Sequence, residues 1–315
     1  MAKTINRGGN YDALYSCGTP FAALIGSILS RLTEIPSYHY STSFTGNWRW
    51  WRGEVETFSG FKVPIRDAVR QVLGDGIREI PRRRLLLKWG LENAECFFTS
   101  SFHVRASLQH IGLDCEDVPV LYPPVEVPIQ TNVERTIAPR ITYFGHLWQG
   151  RGVLDLVRAF SIVTRNEEAE LLIASNNVHR LTERLLEKMV ESEGIGSKIV
   201  RTGVVRNLLA QVLLPSKLIA LPYRDTPSMK LLESMAAGRP VVTTNIGWVP
   251  ELIANAKNGF VIEVGDINLL AGRIMDILRD DDLASRLGSQ AQSTIREMCD
   301  PLRHAEQIAR VFRAN

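Results

Sequence analysis

Two carboxylates eight residues apart, Asp225 and Glu233, frame the segment LPYRDTPSMKLLESMAAGRPVV that begins at Leu221. The segment reads as a strand, a loop and a helix that opens at Thr-Pro-Ser. At such an opening, around Ser228, free N–H groups and the positive end of the helix dipole can hold an anion such as a phosphate. Asp225 falls in the loop and Glu233 further along the helix, so both can face one ligand. Glu233 stands among Leu231, Leu232, Met235, Ala236 and Ala237, and a carboxylate in apolar company needs a partner. A pair of sugar or ribose hydroxyls would supply two donors; a backbone N–H or Arg239 would do the same in a purely structural role. Lys230, one turn back, can reach a phosphate or pair with Glu233, the latter worth under ~0.5 kcal/mol on an exposed helix. A second cationic stretch, YFGHLWQGRGVLDLVRAF from Tyr143 to Phe160, sets His146 and Arg151 in a glycine-containing loop between a strand and a helix. The guanidinium fork of Arg151 matches phosphate oxygens. His146 is the weaker cation, since a histidine is only partly charged near neutral pH.

The elements that must hold these residues follow from pattern. From Arg140 onward, short β-branched runs at Ile141–Phe144, Glu170–Ala174, Lys198–Thr202, Lys217–Leu221, Pro240–Thr243 and Gly259–Ile262 alternate with amphipathic ones, the rhythm of βαβ units around a parallel sheet. The first part is similar but less complete, with strands expected at Tyr11–Ser16, Pro36–Tyr40, Glu95–Thr99 and Val118–Tyr122 and helices at Pro20–Thr33, Arg82–Asn93 and Phe102–Ile111. Between the two, Pro123 to Pro139 carries four prolines, which deny helix and favour an extended connector. The expected organisation is therefore a shortened N-terminal domain over 1–122, a linker over 123–139, a ligand-binding domain over 140–298 and a C-terminal helix over 299–315 that packs back on the first domain. Ligands of open α/β sheets bind at the carboxyl ends of the strands, so two such domains suggest a cleft between them.

Composition bounds the function. A length of 315 residues is about twice the ~150-residue expectation for one domain. The 45% hydrophobic and 23% charged content excludes disordered, collagen-like and disulfide-scaffold classes. With 37 Lys and Arg against 34 acidic residues, the net charge of +3 is too small to argue for nucleic acid. Cys17, Cys96, Cys115 and Cys299 show no C-x-x-C or His pairing, so no zinc site or disulfide framework is indicated and a reducing cytosol is the expected setting. Met1–Gly9 has no apolar leader core, and Phe21–Leu29 falls short of the ~20 residues of a span. The Asp280–Asp282 run reads as a solvated helix terminus.

The 221–253 segment resembles the E-x7-E signature of retaining glycosyltransferases of family 4, and S-M-A-A-G-R-P-V-V matches that family's usual run. The resemblance covers 140–298. It implies a GT-B fold, in which two Rossmann-like doubly wound domains face a cleft, with the N-terminal one incomplete here. It also implies transfer of a hexose from a nucleotide-diphosphate sugar, GDP-mannose or a UDP-sugar, with no further cofactor and no metal strictly required. On the matched positions, Glu233 would bind the donor ribose and Asp225, an Asp where the family has Glu, would lie near the donor sugar. The 143–160 stretch is similar to the family's G-R-L-x-x-x-K-G, placing His146 and Arg151 at the diphosphate-neutralising positions. Gly145, Ser228, Lys230 and Leu232 would complete the donor site, and Thr202 and Gly203 match the loop that cups the base. Gly247–Glu251 resembles a G-G-x-x-E loop with Trp248 in place of the second glycine.

In the first domain, IPSYHYST puts His39 at a strand end, where relatives carry a histidine near the reacting sugar. The resemblance is to the H-Y-P variant of mannosyltransferases that build lipid-linked oligosaccharides, with Ser41 in place of proline; LYPPV at Leu121–Val125 echoes the same subgroup. His39, Asp225 and Glu233 are thus the expected catalytic set. Residues 47–90 hold ten Lys and Arg against five acids. Within them, Trp48, Arg49, Trp50, Trp51 and Arg52, then Arg82, Arg83, Arg84 and Lys88 beside leucines, fit a membrane-surface or acceptor patch. An ordinary core with a solvated face and single-stranded nucleic acid are the rival readings. Family members begin with a strand and a glycine-rich loop absent here, so the first domain is expected to be reduced, or completed by a partner chain. The whole reads as a hexosyltransferase, mannose favoured, acting on a lipid-linked or glycan acceptor at the cytoplasmic face of a membrane; a non-catalytic nucleotide-sugar-binding or membrane-associated partner subunit is the alternative.

Overall fold

The computed structural model describes residues 14–18, 27–28, 37–41, 89–94, 96–110, 112–128, 139–175 and 177–314. Contacts divide the chain into two compact units. One includes the described elements before Pro123 together with the chain from Glu306 on; the other includes Pro124 to Ala305.

The second unit is built on six parallel strands, β4 (Arg140–Phe144), β5 (Glu170–Ala174), β6 (Ile199–Thr202), β7 (Leu218–Leu221), β8 (Val241–Thr244) and β9 (Phe260–Ile262), in the order β6-β5-β4-β7-β8-β9. Each lies within one or two residues of the run expected from the sequence. β7 and β8 are buried at every position, as strands covered by helices on both faces must be. Helices α2 (Val153–Val163), α3 (Arg180–Glu193), α4 (Met229–Ala236), α5 (Val249–Leu252), α6 (Ile267–Arg279) and α7 (Asp281–Met298) supply that cover, and α8 (Pro301–Ala314) follows. The order reverses between β4 and β7, and the carboxyl ends of strands at such a switch point are the usual ligand position of doubly wound sheets. Asp280 caps α7 by accepting from Leu283 N–H at 2.8 Å, which gives the acidic run its helix-terminus role.

In the first unit, β1 (Leu14–Gly18), β2 (Ser37–Ser41) and β3 (Cys96–Thr99) form a parallel sheet in that order, followed by α1 (Phe102–His110). Leu91, Val104, Leu108, Leu113 and Cys115 make its apolar core. The strand expected at Val118–Tyr122 is instead a single bridge between Thr99 and Val120. The cause is proline: Pro119 and Pro123 offer no N–H to a ladder, so only Thr99 N–H to Pro119 O at 3.0 Å and Leu121 N–H to Thr99 O at 2.8 Å form. Of the expected Arg82–Asn93 helix, 89–92 is helical; Arg82, Arg83, Arg84 and Lys88 lie outside the described residues, as do Trp48, Arg49, Trp50, Trp51 and Arg52. Among the described residues no helix is long and apolar enough to cross a membrane.

Burial pushes the Cys115 thiol up to about 11 and the Cys299 thiol to about 12, with Asp114 adding to the first. A free thiol ionises near ~8.5, so the native chain keeps both protonated where the unfolded chain does not. Their stabilising contribution is therefore complete below about pH 8.5 and is lost progressively as pH rises toward 11. Iodoacetamide at about pH 8.5, followed by peptide mapping, should leave both cysteines unlabelled in the native chain and labelled in urea; equal labelling in the two conditions would contradict this.

Candidate functional site

The loop after β4 is shaped by hydrogen bonds at both ends. Tyr143, fully buried, donates its hydroxyl to His146 O at 2.6 Å. Gly145, at φ +140°, donates to Ala174 O at 3.0 Å, and Leu147 bridges to the loop after β5 through Asn177 O at 2.9 Å and His179 N–H at 3.0 Å. A short turn, Gln149–Arg151, then leads through Gly152 into α2. Gly152 has φ +74°, and a Cβ there would stand 2.6 Å from the carbonyl carbon of Pro222. No other residue fits.

The loop after β7 crosses this turn. Gly150 O accepts both Arg224 N–H at 2.9 Å and Asp225 N–H at 3.2 Å. Arg224 holds Asp155, 3% exposed in the first turn of α2, through two bonds of 2.5 and 2.9 Å. This is the bidentate geometry that makes an ion pair directional. Arg151 Nη1 donates to Thr226 O at 2.5 Å and lies 3.7 Å from Asp225 Oδ1, with its guanidinium carbon 5.9 Å from the centre of the Tyr223 ring. Tyr223 is buried, and its hydroxyl shares a 2.8 Å hydrogen bond with Ser228 Oγ.

Ser228 precedes α4 with extended backbone, and its side chain makes no cap bond to the helix. On α4, Lys230 Nζ stands 2.9 and 3.2 Å from the two carboxylate oxygens of Glu233 and 5.5 Å from the centre of the Phe144 ring. The Glu233 side chain is 29% exposed. Burial pushes the Tyr223 phenol far up; Ser228 and Arg151 draw it down, whereas Asp225 and Glu233 raise it. Tyr143 is raised by burial and by Tyr223, lowered by Arg151 and raised by Asp225. The two buried phenols therefore sense groups from both loops and from α4, which converge on the carboxyl ends of β4 and β7.

Of the residues singled out in the sequence, Gly145, Arg151, Asp225, Ser228, Lys230 and Glu233 are brought together here. His146 keeps its side chain exposed, and its carbonyl serves the loop. Thr202 ends β6, where its carbonyl accepts Ser175 N–H at 3.0 Å, and Gly203 is exposed. Leu232 is fully buried, with its side chain in the core, while its neighbours Lys230 and Glu233 carry the polar face of α4. Glu251 lies on α5 beyond Gly247, which has φ +52°. His39 pairs through its backbone with Ser16 and Phe97 in the other unit; its side chain lies outside the description. Gly150, Asp155, Tyr223 and Arg224 were not anticipated. Their only signal was local, a glycine before Arg151 and a Tyr-Arg pair right after β7.

Residues 138–280 match the family described as Glycosyl transferases group 1. The fold is GT-B. It is shared with the crystal structure of Anabaena HepE in complex with UDP, with a TM-score of 0.77 at 16% identity, covering 100% of this chain and 82% of that one. Among named relatives, N-acetyl-alpha-D-glucosaminyl L-malate synthase of Bacillus anthracis is 26% identical over 46% of this chain and 37% of its own. A GDP-mannose-dependent alpha-(1-6)-phosphatidylinositol monomannoside mannosyltransferase of Mycobacterium tuberculosis is 25% identical over 74% of this chain and 61% of its own. The chain thus spans little more than a third of the length of several relatives it matches.

Gly152→Ala should destabilise the chain by roughly 2 kcal/mol or more, since it adds steric overlap with Pro222 to the strain of a left-handed backbone. Gly194→Ala, at φ +66° with nothing within 4 Å of the added carbon, meets the strain alone and should cost only about 1 kcal/mol. Urea unfolding of the two variants would expose equal costs if the loop crossing were not the constraint.

Proposed function

We propose that this chain is a retaining glycosyltransferase that takes a hexose, mannose favoured, from a nucleotide-diphosphate sugar and passes it to a lipid-linked or glycan acceptor. The observation that carries the reading is the gathering of Arg151, Lys230 and the Ser228 opening of α4 at the carboxyl ends of β4 and β7, with a partly exposed Glu233 beside them. A leaving diphosphate develops negative charge as the glycosidic bond breaks. Arg151, Lys230 and the helix dipole of α4 meet that charge without a metal ion, and His146 can add to it from the exposed side of the loop. Glu233 accepts the two ribose hydroxyls, Gly145 allows the donor close to the backbone, and Thr202 and Gly203 bound the base. His39 is proposed to act near the reacting sugar from the first unit.

Lys230 is paired with Glu233, the structural alternative noted from the sequence. The two roles are compatible. An exposed pair is worth ~1 kcal/mol at most, so a donor can replace it with ribose at Glu233 and phosphate at Lys230. GDP-mannose is favoured by the family resemblance and by the named mannosyltransferase relative, while UDP is favoured by the HepE complex. Attachment to the cytoplasmic face of a membrane rests on the tryptophan and arginine composition of 47–90. A second reading, a nucleotide-sugar-binding subunit without turnover, draws on the engagement of Asp225 with protein groups.

Thermal shift with UDP, GDP, UDP-glucose and GDP-mannose tests the donor site. The true donor, present at ~100 times its dissociation constant, adds ~2.7 kcal/mol to stability, and no shift with any of the four would remove the site from consideration. Transfer or donor-hydrolysis assays on the same chain separate enzyme from binding subunit. In them, Arg151→Ala should lower kcat about 10²- to 10³-fold, the range for losing one preorganised charge-stabilising group, at unchanged folding.

A further inference from the structure

Asp225 occupies a position where a carboxylate facing the donor sugar would be expected, yet its Oδ1 is engaged by the protein. Oδ1 accepts the Thr226 N–H at 2.5 Å and lies 3.7 Å from Arg151 Nη1, with the side chain only 8% exposed. The backbone N–H of Asp225 is bound to Gly150 O at 3.2 Å. The space filled by the carboxylate exists because residue 150 has no side chain, for a Cβ there would stand 2.8 Å from Asp225 Cγ. Arg151, the next residue in the chain, returns the contact by donating to Thr226 O at 2.5 Å. The 149–151 turn and the 225–226 turn therefore grip each other through backbone, carboxylate and guanidinium at once.

We infer that Asp225 is a positioning residue. Its carboxylate holds the Arg151 guanidinium in place through the vacancy at Gly150 and does not contact the transferred sugar. What Arg151 is held for rests on the donor reading above; the grip itself does not. A guanidinium has five N–H donors in a fixed fork. With Nη1 anchored on the 225–226 turn, the remaining donors have a defined direction, and an anion meets a cation whose rotamer is already fixed. The neighbouring negative charge weakens the attraction for that anion, so the benefit of Asp225 is one of geometry. A carboxylate in contact with the sugar would behave differently, because it would matter only when the sugar is present.

Three measurements separate these cases. Gly150→Ala keeps every charge but displaces the carboxylate, and should weaken UDP or GDP, whichever binds, by about threefold or more, and the matching UDP-glucose or GDP-mannose by the same factor. Asp225→Asn should change the affinity of nucleotide and sugar nucleotide by one common factor, and that factor should vanish on an Arg151→Ala background. An effect confined to the sugar nucleotides, or one that persists undiminished without Arg151, overturns the inference. On the ligand-free chain, the thermal midpoints of Arg151→Ala, Asp225→Asn and the double variant should depart from additivity by about 2 °C or more. Additive midpoints overturn the grip even if no nucleotide binds, whereas absence of nucleotide binding with non-additive midpoints overturns only the donor reading.

Discussion

Two loops meet at Gly150 and Gly152 at separations that only a hydrogen atom on Cα allows. Pro222 lies against Gly152 and Asp225 against Gly150, so the segment after β7 is seated directly on the turn that opens α2. Everything polar in the site follows from this crossing. It places the Gly150 carbonyl under two N–H groups of the opposite loop and brings Arg224 to Asp155 and Arg151 to Thr226. It also leaves Lys230 at the start of α4 beside Phe144 and Gly145. A larger residue at either glycine would separate the loops and take the cations with them, which is why backbone sterics, more than any single ion pair, determines where a phosphate could be met.

The buried tyrosines give that crossing a rigid base. Tyr143 on β4 and Tyr223 just past the end of β7 are almost wholly buried, and each satisfies its hydroxyl within a few residues, one on His146 O and the other on Ser228. A buried phenol left unpaired would be costly, so each hydrogen bond fixes a loop. The His146 carbonyl is drawn inward, which directs the ring out, and the Ser228 hydroxyl is engaged with Tyr223 instead of capping α4. The first-turn N–H groups of the helix are in this way kept from their own side-chain cap. A positive helix terminus without a side-chain cap beside two cations has the polarity an anion requires.

Much of this was legible from pattern. Alternating β-branched and amphipathic runs give all six strands of the second unit, and β7 and β8, covered on both faces, are buried at every position, as such strands must be. The family resemblance through Arg151, Lys230 and Glu233 points to residues the fold does bring together. Local sequence was insufficient where contact is long-range. Asp155 and Arg224 are 69 residues apart, and nothing in a single sequence announces such a pair. Leu232, next to Glu233 on α4, turns its side chain into the core, since adjacent helical residues face different sides. The Val118–Tyr122 run had the composition of a strand, but its prolines remove the donors that pairing consumes.

The pairing of Lys230 and Glu233 explains how one short helix could serve two parts of one ligand. Both side chains are about one-third exposed, so their pairing is screened and weak, and each retains unused capacity: an ammonium has three donors and a carboxylate about four acceptor positions. Neither charge is buried, so parting them exacts none of the penalty that separating a buried ion pair would. Arg224 and Asp155 are the contrast. There the carboxylate is almost completely buried, and withdrawing the guanidinium would strand it at a cost of several kcal/mol. The site therefore combines one ion pair too costly to open, which holds the loop, with another cheap enough to exchange, which can yield to a ligand. Their different burial, not their different chemistry, assigns the two roles.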